Sequence, residues 1–294
     1  MSKRILLIDG MALLFRHFYA TSVHNNLMKT STGLPTNGTQ GFVRHVLSAV
    51  ADIQPSHIAI CWDMGKSTFR NDLYDGYKQN RPEPPEALKP QFAHVQYISK
   101  ACGFYNVSLP NYEADDVIGT LATRTASEPT NTVYVITGDR DLLQCTSHNI
   151  NIWLIRKGFT EYIKYDLHTF HEKYGIHPKQ LIDVKAFMGD SADGYPGVKG
   201  IGEKTAIKLI QQYGSVDNVI RHIDQLTPGQ QKKINHDFDH LQNARTLAEI
   251  VCNAPIQEND LFHKMAYTLN RQHLLDVCQT NELHVTRKFL YTLF

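Results

Sequence analysis

Three features of this 294-residue sequence predict an α/β fold: a mostly parallel sheet flanked by helices, followed by a smaller helical unit. Short apolar runs end abruptly in aspartate, stripes of helical spacing lie between them, and strand-like runs fade beyond about residue 178. Runs unbroken by polar alternation suit strands covered on both faces, and strands alternating with helices form parallel sheets.

The first run, Ile5-Leu6-Leu7-Ile8, ends in Asp9-Gly10. His57 to Trp62 ends in Asp63, and Val133 to Ile136 passes through Thr137-Gly138 to Asp139. Asn151 to Ile155 supplies a fourth strand. Phe42, Val43, Val46, Leu47 and Val50 make one helical stripe; Val117, Ile118, Leu121 and Ala122 make another. Residues 64–90 interrupt the alternation and close in Arg81-Pro82-Glu83-Pro84-Pro85, and an insertion this long after a strand is usually functional or disordered. Within it Phe69, Leu73 and Tyr77 fall at i, i+4 and i+8 and predict an apolar stripe, with Lys78 and Arg81 facing one way. Leu181, Val184, Lys185, Phe187 and Met188 open the helical part, which Glu203 to Tyr213 and Gly229 to Leu247 continue. The expected division is 1–178, with 64–90 inserted, and 179–294.

A formal net charge of +1 excludes strong global attraction to nucleic acid but leaves room for local basic surfaces. Cys61, Cys102, Cys145, Cys252 and Cys278 are scattered without a Cys-x-x-Cys pair, which fits a reducing compartment, not a disulfide framework or zinc site. The N-terminal apolar run is too short for a signal peptide, and no stretch approaches the roughly 18 apolar residues of a membrane helix. A soluble cytoplasmic protein without membrane contact is expected.

Asp9, Asp63 and Asp139 end strands, where α/β sheets collect ligands, and Asp141 lies two residues beyond Asp139. Glu113, Asp115 and Asp116 open a helical stripe; Asp190 and Asp193 repeat the spacing of Glu113 and Asp116. Each group has an ordinary reading as a turn, a helix cap or a favourable charge at a helix N-terminus. Gathered on one sheet edge, so many carboxylates would repel by several kcal/mol. Hard divalent cations compensate that, and an all-oxygen set favours Mg²⁺ or Mn²⁺ over zinc. Two such ions activate water and stabilise the leaving oxygen of a phosphodiester, the reaction this set implies. Two other classes compete: a catalytically silent nucleic-acid-binding protein of the same fold, and a haloacid-dehalogenase-type phosphatase. The latter needs a second Asp where Met11 stands.

Gly197-Val198-Lys199-Gly200-Ile201-Gly202, followed by Lys204 and Lys208, reads as a glycine turn between helices whose backbone can approach a phosphate. Arg16, and Thr36-Asn37-Gly38 as a helix cap, are further candidates for contact with DNA.

The stretches LLIDGMALLFR (6–16), YEADDVIGTLA (112–122), VITGDRDLLQ (135–144) and GDSADGYPGVKGIGEKTA (189–206) together resemble the 5′-nuclease family. That family includes the N-terminal domain of bacterial DNA polymerase I, phage 5′-exonucleases, flap endonucleases and free-standing bacterial 5′–3′ exonucleases. Departures are small: Cys145 stands where Leu is common, and Gly194-Tyr195 replaces Asn-Ile.

The resemblance implies a PIN-like sheet domain and a helix–three-turn–helix (helix-hairpin-helix type) domain that grips duplex backbone. A K⁺ ion is expected at 197–202. Asp9, Asp63, Glu113, Asp115 and Asp116 would hold the tighter ion, directly or through water, and Asp139, Asp141, Asp190 and Asp193 would complete the site and the shell of the second ion. Residues 64–90 would form an arch, with Lys78 and Arg70 as its phosphate-contacting, catalytic bases. Tyr77 and Arg81 would meet the DNA strand there, through aromatic stacking and charge. The implied activity is 5′-flap endonuclease and 5′–3′ exonuclease action on flaps and nicked or branched duplex, extending to RNA–DNA hybrid, by a nucleoid-associated monomer in replication, repair and RNA primer removal.

Overall fold

The computed structural model describes residues 2–22, 27–65, 67–257 and 260–293; Lys66 of the expected arch and 258–259 and 294 of the helical part lie outside them. Six strands form one sheet: β1 (Arg4–Asp9), β2 (His57–Cys61), β3 (Tyr105–Val107), β4 (Thr132–Thr137), β5 (Ile150–Lys157) and β6 (Glu161–Tyr165). Their order is β3-β2-β1-β4-β5-β6, with every neighbouring pair parallel except β5–β6. Strand β1, buried from Ile5 to Asp9, lies between β2 and β4, pairing Asp9 with Cys61 and Ile8 with Ile136. The strand order reverses at β1, which opens a crevice beyond the carboxyl ends of β1, β2 and β4.

Side chains along β1 alternate between two cores. Ile5 and Leu7 pack with Val117, Leu121 and Val135 on one face; Leu6 and Ile8 pack with Leu14, Phe42 and Val46 on the other. Helices α1 (Gly10–Thr21), α2 (Asn37–Ile53), α3 (Phe69–Leu73), α4 (Lys89–Ala101) and α5 (Ala114–Ala126) cover these faces or fill the insertion. Asp9 caps α1 by accepting from the Ala12 amide at 2.9 Å, so the residue that ends the strand also starts the helix. A 3₁₀ helix, Asp141–Cys145, follows β4.

The helical part contains α6 (Leu167–Tyr174), α7 (Leu181–Met188), α8 (Glu203–Tyr213), α9 (Val216–Arg221), α10 (Pro228–His236), α11 (Phe238–Ala248) and α12 (Leu261–Met265). The run expected over 229–247 breaks at Asp237 into α10 and α11. Between α7 and α8 a tight hairpin pairs β7 (Gly189–Asp190) with β8 (Tyr195–Pro196). A Cβ at Gly197 would stand 2.3 Å from the Gly189 nitrogen, so only glycine permits that approach.

Residues 271–293, expected within the helical part, pack elsewhere. Helices α13 (Arg271–Thr280) and α14 (His284–Leu293) return to α2, where Leu274, Leu283 and Leu290 join the core of the sheet face. There the Gln40 side chain accepts from the Val285 and Thr286 amides.

The insertion also departs from expectation. Among the described residues of the predicted stripe, helical structure stops at Leu73, so Tyr77 lies beyond the helix that carries Phe69 and Leu73, and Lys78 takes a left-handed φ of 56°. Tyr77 is buried while Leu73 is exposed. The segment folds down onto the β7–β8 hairpin through Lys78 N to Asp193 O at 2.7 Å and Asn80 Nδ2 to Ser191 O at 2.9 Å.

Candidate active site

The crevice at the strand ends is a cleft of about 900 Å³. Asp9, Asp63, Glu113, Asp115, Asp139, Asp141, Asp190 and Asp193 all line it. With Glu83, nine acidic side chains among the described residues face four basic ones, Lys78, Arg81, Arg140 and Lys185.

Backbone and hydroxyl groups fix the acids nearest the sheet. Asp9 accepts from Thr137 Oγ1 at 3.0 Å, and that hydroxyl in turn accepts from the Asp139 amide at 2.9 Å. Asp63 accepts from the Ala114 amide at 2.9 Å, tying the end of β2 to the start of α5. Asp139 accepts from the Asp141 amide at 2.8 Å. Burial, reinforced by repulsion from Asp63 and Asp139, pushes Asp9 up to about 7 against the amide and hydroxyl that favour its charge. Burial and then Asp139 and Asp9 push Asp115 well above the usual carboxylate range.

A second group sits opposite. Asp141, Asp190 and Asp193 bring oxygens within 4.8 Å of one another. Lys185 of α7 bridges two of them, donating to Asp141 at 2.6 Å and to Asp190. Burial and Asp139 raise Asp141 to about 6 despite that lysine. At Asp190 burial acts upward, but Lys185 and the Ala192 and Asp193 amides outweigh it and the carboxyl lies below its ordinary value. Lys78 spans the cleft wall, 2.7 Å from Glu113 and 4.0 Å from Asp193, while Arg81 reaches Asp193 at 2.7 Å. Burial disfavours the Lys78 ammonium, yet Glu113 and Asp193 more than restore it.

These residues fit divalent cations. The donors are carboxylate oxygens, Asp9 and Asp115 are held out of their preferred charge state, and the second group already surrounds an ammonium. A hard cation relieves all three conditions. Lys185 was not singled out from sequence as a site residue: it belongs to an apolar helical stripe, and nothing local reveals that its ammonium sits between Asp141 and Asp190.

Several expectations are corrected. Asp116 does not reach the cleft: it is fully buried, with both oxygens held by Arg70 at 2.7 and 2.8 Å and by the amides of Val251 and Glu113. Arg70 is likewise turned inward, donating also to the carbonyls of Leu247 and Glu249, and it does not line the cleft. Tyr77 stacks on Tyr195 with its hydroxyl on Glu113 and Asp193, leaving no face for a base. Arg16 donates to the Arg156 carbonyl at 2.7 Å, and the cleft is lined by Met11 and Phe15 of the same helix. Thr36 and Asn37 are buried, and Thr36 makes no side-chain cap.

In the glycine turn Val198 and Ile201 are buried, while Lys199, Gly200, Gly202 and Lys204 are exposed. The amides of Val198, Lys199 and Ile201 already donate to Phe187, Asp237 and Val198.

Residues 4–175 match the family model described as 5′-3′ exonuclease, N-terminal resolvase-like domain, and residues 176–268 match that described as 5′-3′ exonuclease, C-terminal SAM fold. The 5′-3′ exonuclease of Bacillus subtilis is 45% identical over 98% of this chain and 96% of its own length. DNA polymerase I of Bacillus caldotenax is 38% identical over 87% of this chain, which spans only 29% of that polymerase. Among solved structures, phage T5 5′-exonuclease with bound zinc ions gives a TM-score of 0.69 at 20% identity, covering 99% of this chain and 98% of that one. The catalytic core of Rad2 in complex with DNA substrate gives 0.63 at 15% identity, covering 100% and 93%. Both structural likenesses are likenesses of fold.

Proposed function

Because the chain belongs to the 5′-3′ exonuclease family, we propose that its acidic cleft is the active site of a metal-dependent nuclease that hydrolyses DNA phosphodiesters at 5′ ends and 5′ flaps. The observation that carries this reading is the convergence of eight carboxylates from five remote segments on the crevice beyond β1, β2 and β4. No helix among the described residues is long and apolar enough to cross a membrane.

The acids nearest the sheet, Asp9, Asp63, Glu113, Asp115 and Asp139, are assigned to one Mg²⁺ or Mn²⁺ ion; Asp141, Asp190 and Asp193 are assigned to a second. When bound, such a pair supplies an activated water and neutralises the leaving oxygen. The protein does the rest. Thr137 fixes Asp9 and Asp139 in register. Glu113 and Asp193 hold Lys78 so that its ammonium faces the cleft, ready to orient the scissile phosphate. Arg81, half exposed at the rim, extends that positive edge toward the incoming strand.

The exposed side of the turn 197–202, with Lys199 and Lys204, is assigned to duplex backbone, a grip without sequence preference. A K⁺ ion there would compete with Lys233, whose ammonium donates to the Gly200 carbonyl at 3.2 Å. Action on RNA–DNA hybrid, as in primer removal during replication and repair, a monomeric state, a nucleoid-associated cytoplasmic location and the division at residue 178 belong to the same reading. A 5′-labelled flap oligonucleotide incubated with Mg²⁺ or with EDTA tests it. Short 5′ products that require Mg²⁺ support the assignment; cleavage unaffected by EDTA, or none at any Mg²⁺ concentration, overturns it.

A further inference from the structure

Behind the cleft lies a pair of thiols that its chemistry does not use. Cys145 ends the 3₁₀ helix that begins at Asp141, and Cys252 lies in the segment after α11. Their sulfurs are 4.0 Å apart although 107 residues separate them in sequence. Gly119 of α5 makes the space: a Cβ there would stand 3.1 Å from Cys252 Sγ and 3.5 Å from Cys145 Sγ.

We propose that Cys145 and Cys252 form a reversible disulfide when the protein meets hydrogen peroxide, and that the closed form is a slower nuclease. The second half rests on the cleft being the active site; the first does not.

The two thiols are unequal in the way such a step needs. Cys252 is partly exposed, and a hydrogen bond from Cys145, outweighing burial and helped by Thr123 and Lys179, draws it down to about 7. Cys145 is buried and pushed well up by the same hydrogen bond and by desolvation. Having released its proton to solvent, the Cys252 thiolate attacks one peroxide oxygen. The O–O bond breaks, hydroxide leaves and takes up a proton, and Cys252 becomes a sulfenic acid. Cys145 sulfur then attacks Cys252 sulfur, the S–O bond breaks, and the departing hydroxide leaves as water with the Cys145 proton. Two thiols are oxidised and one peroxide becomes two waters. Cys61, Cys102 and Cys278 are buried with thiols pushed upward by burial, and serve as internal controls.

Closing the bond brings the sulfurs from 4.0 Å to about 2.05 Å. That draws the 3₁₀ helix toward the segment that clasps it. Gln144 donates to the Ala248 carbonyl and accepts from the Ile250 amide, and the next amide, that of Val251, donates to Asp116. Asp141 stands four residues from Cys145 on the same short helix, so its place in the cleft moves with the crosslink.

The test treats the full chain with hydrogen peroxide, caps free thiols with N-ethylmaleimide, and maps peptides without reduction. Flap cleavage is measured alongside. The expected result is a peptide linking residues 145 and 252, loss of two hydrogens in intact mass, and at least fivefold slower cleavage, all reversed by dithiothreitol. Cys145→Ser and Cys252→Ser should show neither the link nor the slowing. Peroxide that leaves both thiols free, or that carries Cys252 to sulfinic acid with Cys145 still a thiol, overturns the pairing. A linked protein that cleaves at the unlinked rate overturns the regulatory half. A reduced protein with no Mg²⁺-dependent cleavage contradicts the cleft assignment and also overturns the regulatory half, leaving the linked peptide to decide the pairing alone.

Discussion

Replacing Asp9 by Asn should stabilise the metal-free protein while removing function. Burial, with repulsion from Asp63 and Asp139, lifts this carboxyl to about 7 from its ordinary 3.8. A shift of about three units amounts to roughly 4 kcal/mol at alkaline pH. The sign follows from which form the fold disfavours. Below pH 3.8 both states are protonated and the penalty is absent; it grows as pH rises toward 7 and is constant above. Asn keeps an oxygen for the Ala12 amide but leaves the Thr137 hydroxyl without its acceptor, which costs about 1 kcal/mol. In EDTA at pH 8, Asp9→Asn should therefore exceed the wild type by about 2–3 kcal/mol in urea unfolding followed by circular dichroism. Near pH 4 the advantage should vanish. Saturating Mg²⁺ should raise wild-type stability more than that of the variant. A variant less stable than the wild type at pH 8 in EDTA, or a gain independent of pH, would refute the claim that the acids are crowded without cations.

Three further outcomes follow from the same geometry. Lys185→Met removes the ammonium between Asp141 and Asp190, so the weaker of two Mn²⁺ ions should bind at least about tenfold tighter in an electron paramagnetic resonance titration, some 1.4 kcal/mol; unchanged or weaker binding would show that Lys185 does not compete with it. Arg70→Ala leaves Asp116 buried and unpaired and should cost about 3–5 kcal/mol with or without metal. Near-wild-type stability combined with lost cleavage would instead return Arg70 to the substrate. His17 and His45, 2.8 Å apart, are each held down to about 3, first by burial and then by Arg44 and Arg16 for His17 and by His17 and Arg16 for His45. Their neutral forms contribute stability that is complete above pH 6.5 and is lost as pH falls toward 3, about 2 kcal/mol per histidine at pH 5. Imidazole resonances that titrate near 6.5 in the folded protein would contradict this.

Much of this architecture was legible in the sequence because its strands are buried on both faces. Continuous apolar runs mark β1, β2, β4 and β5, and an acid stands at or just beyond the ends of β1, β2 and β4. The strands that escaped notice lack that signature. β3 has three residues, and β6 is largely exposed at the edge, so neither carries a long apolar run. The insertion misled for a related reason. Its i, i+4, i+8 spacing suggests a helix, but contacts with Ser191 and Asp193, remote in sequence, decide its path and bury Tyr77.

The acids tell the same story. Eight of nine expected carboxylates line the cleft, because each strand end or helix start delivers its acid to the same crevice. Asp116 is the exception. Its spacing from Glu113 suggested a shared face, but Arg70 and the Val251 amide arrive from outside that helix and fix it inward. Lys185 and the Cys145–Cys252 pair were invisible for the complementary reason: each becomes meaningful only through partners brought close by folding.

The most direct measurement is anomalous diffraction from crystals soaked in Mn²⁺. Two peaks are predicted inside the cleft, one beside Asp9, Asp115 and Asp139 and one beside Asp141, Asp190 and Asp193, with Lys185 displaced from the second. Manganese found only on the outer surface, or no peak among these carboxylates at saturating Mn²⁺, would contradict the account.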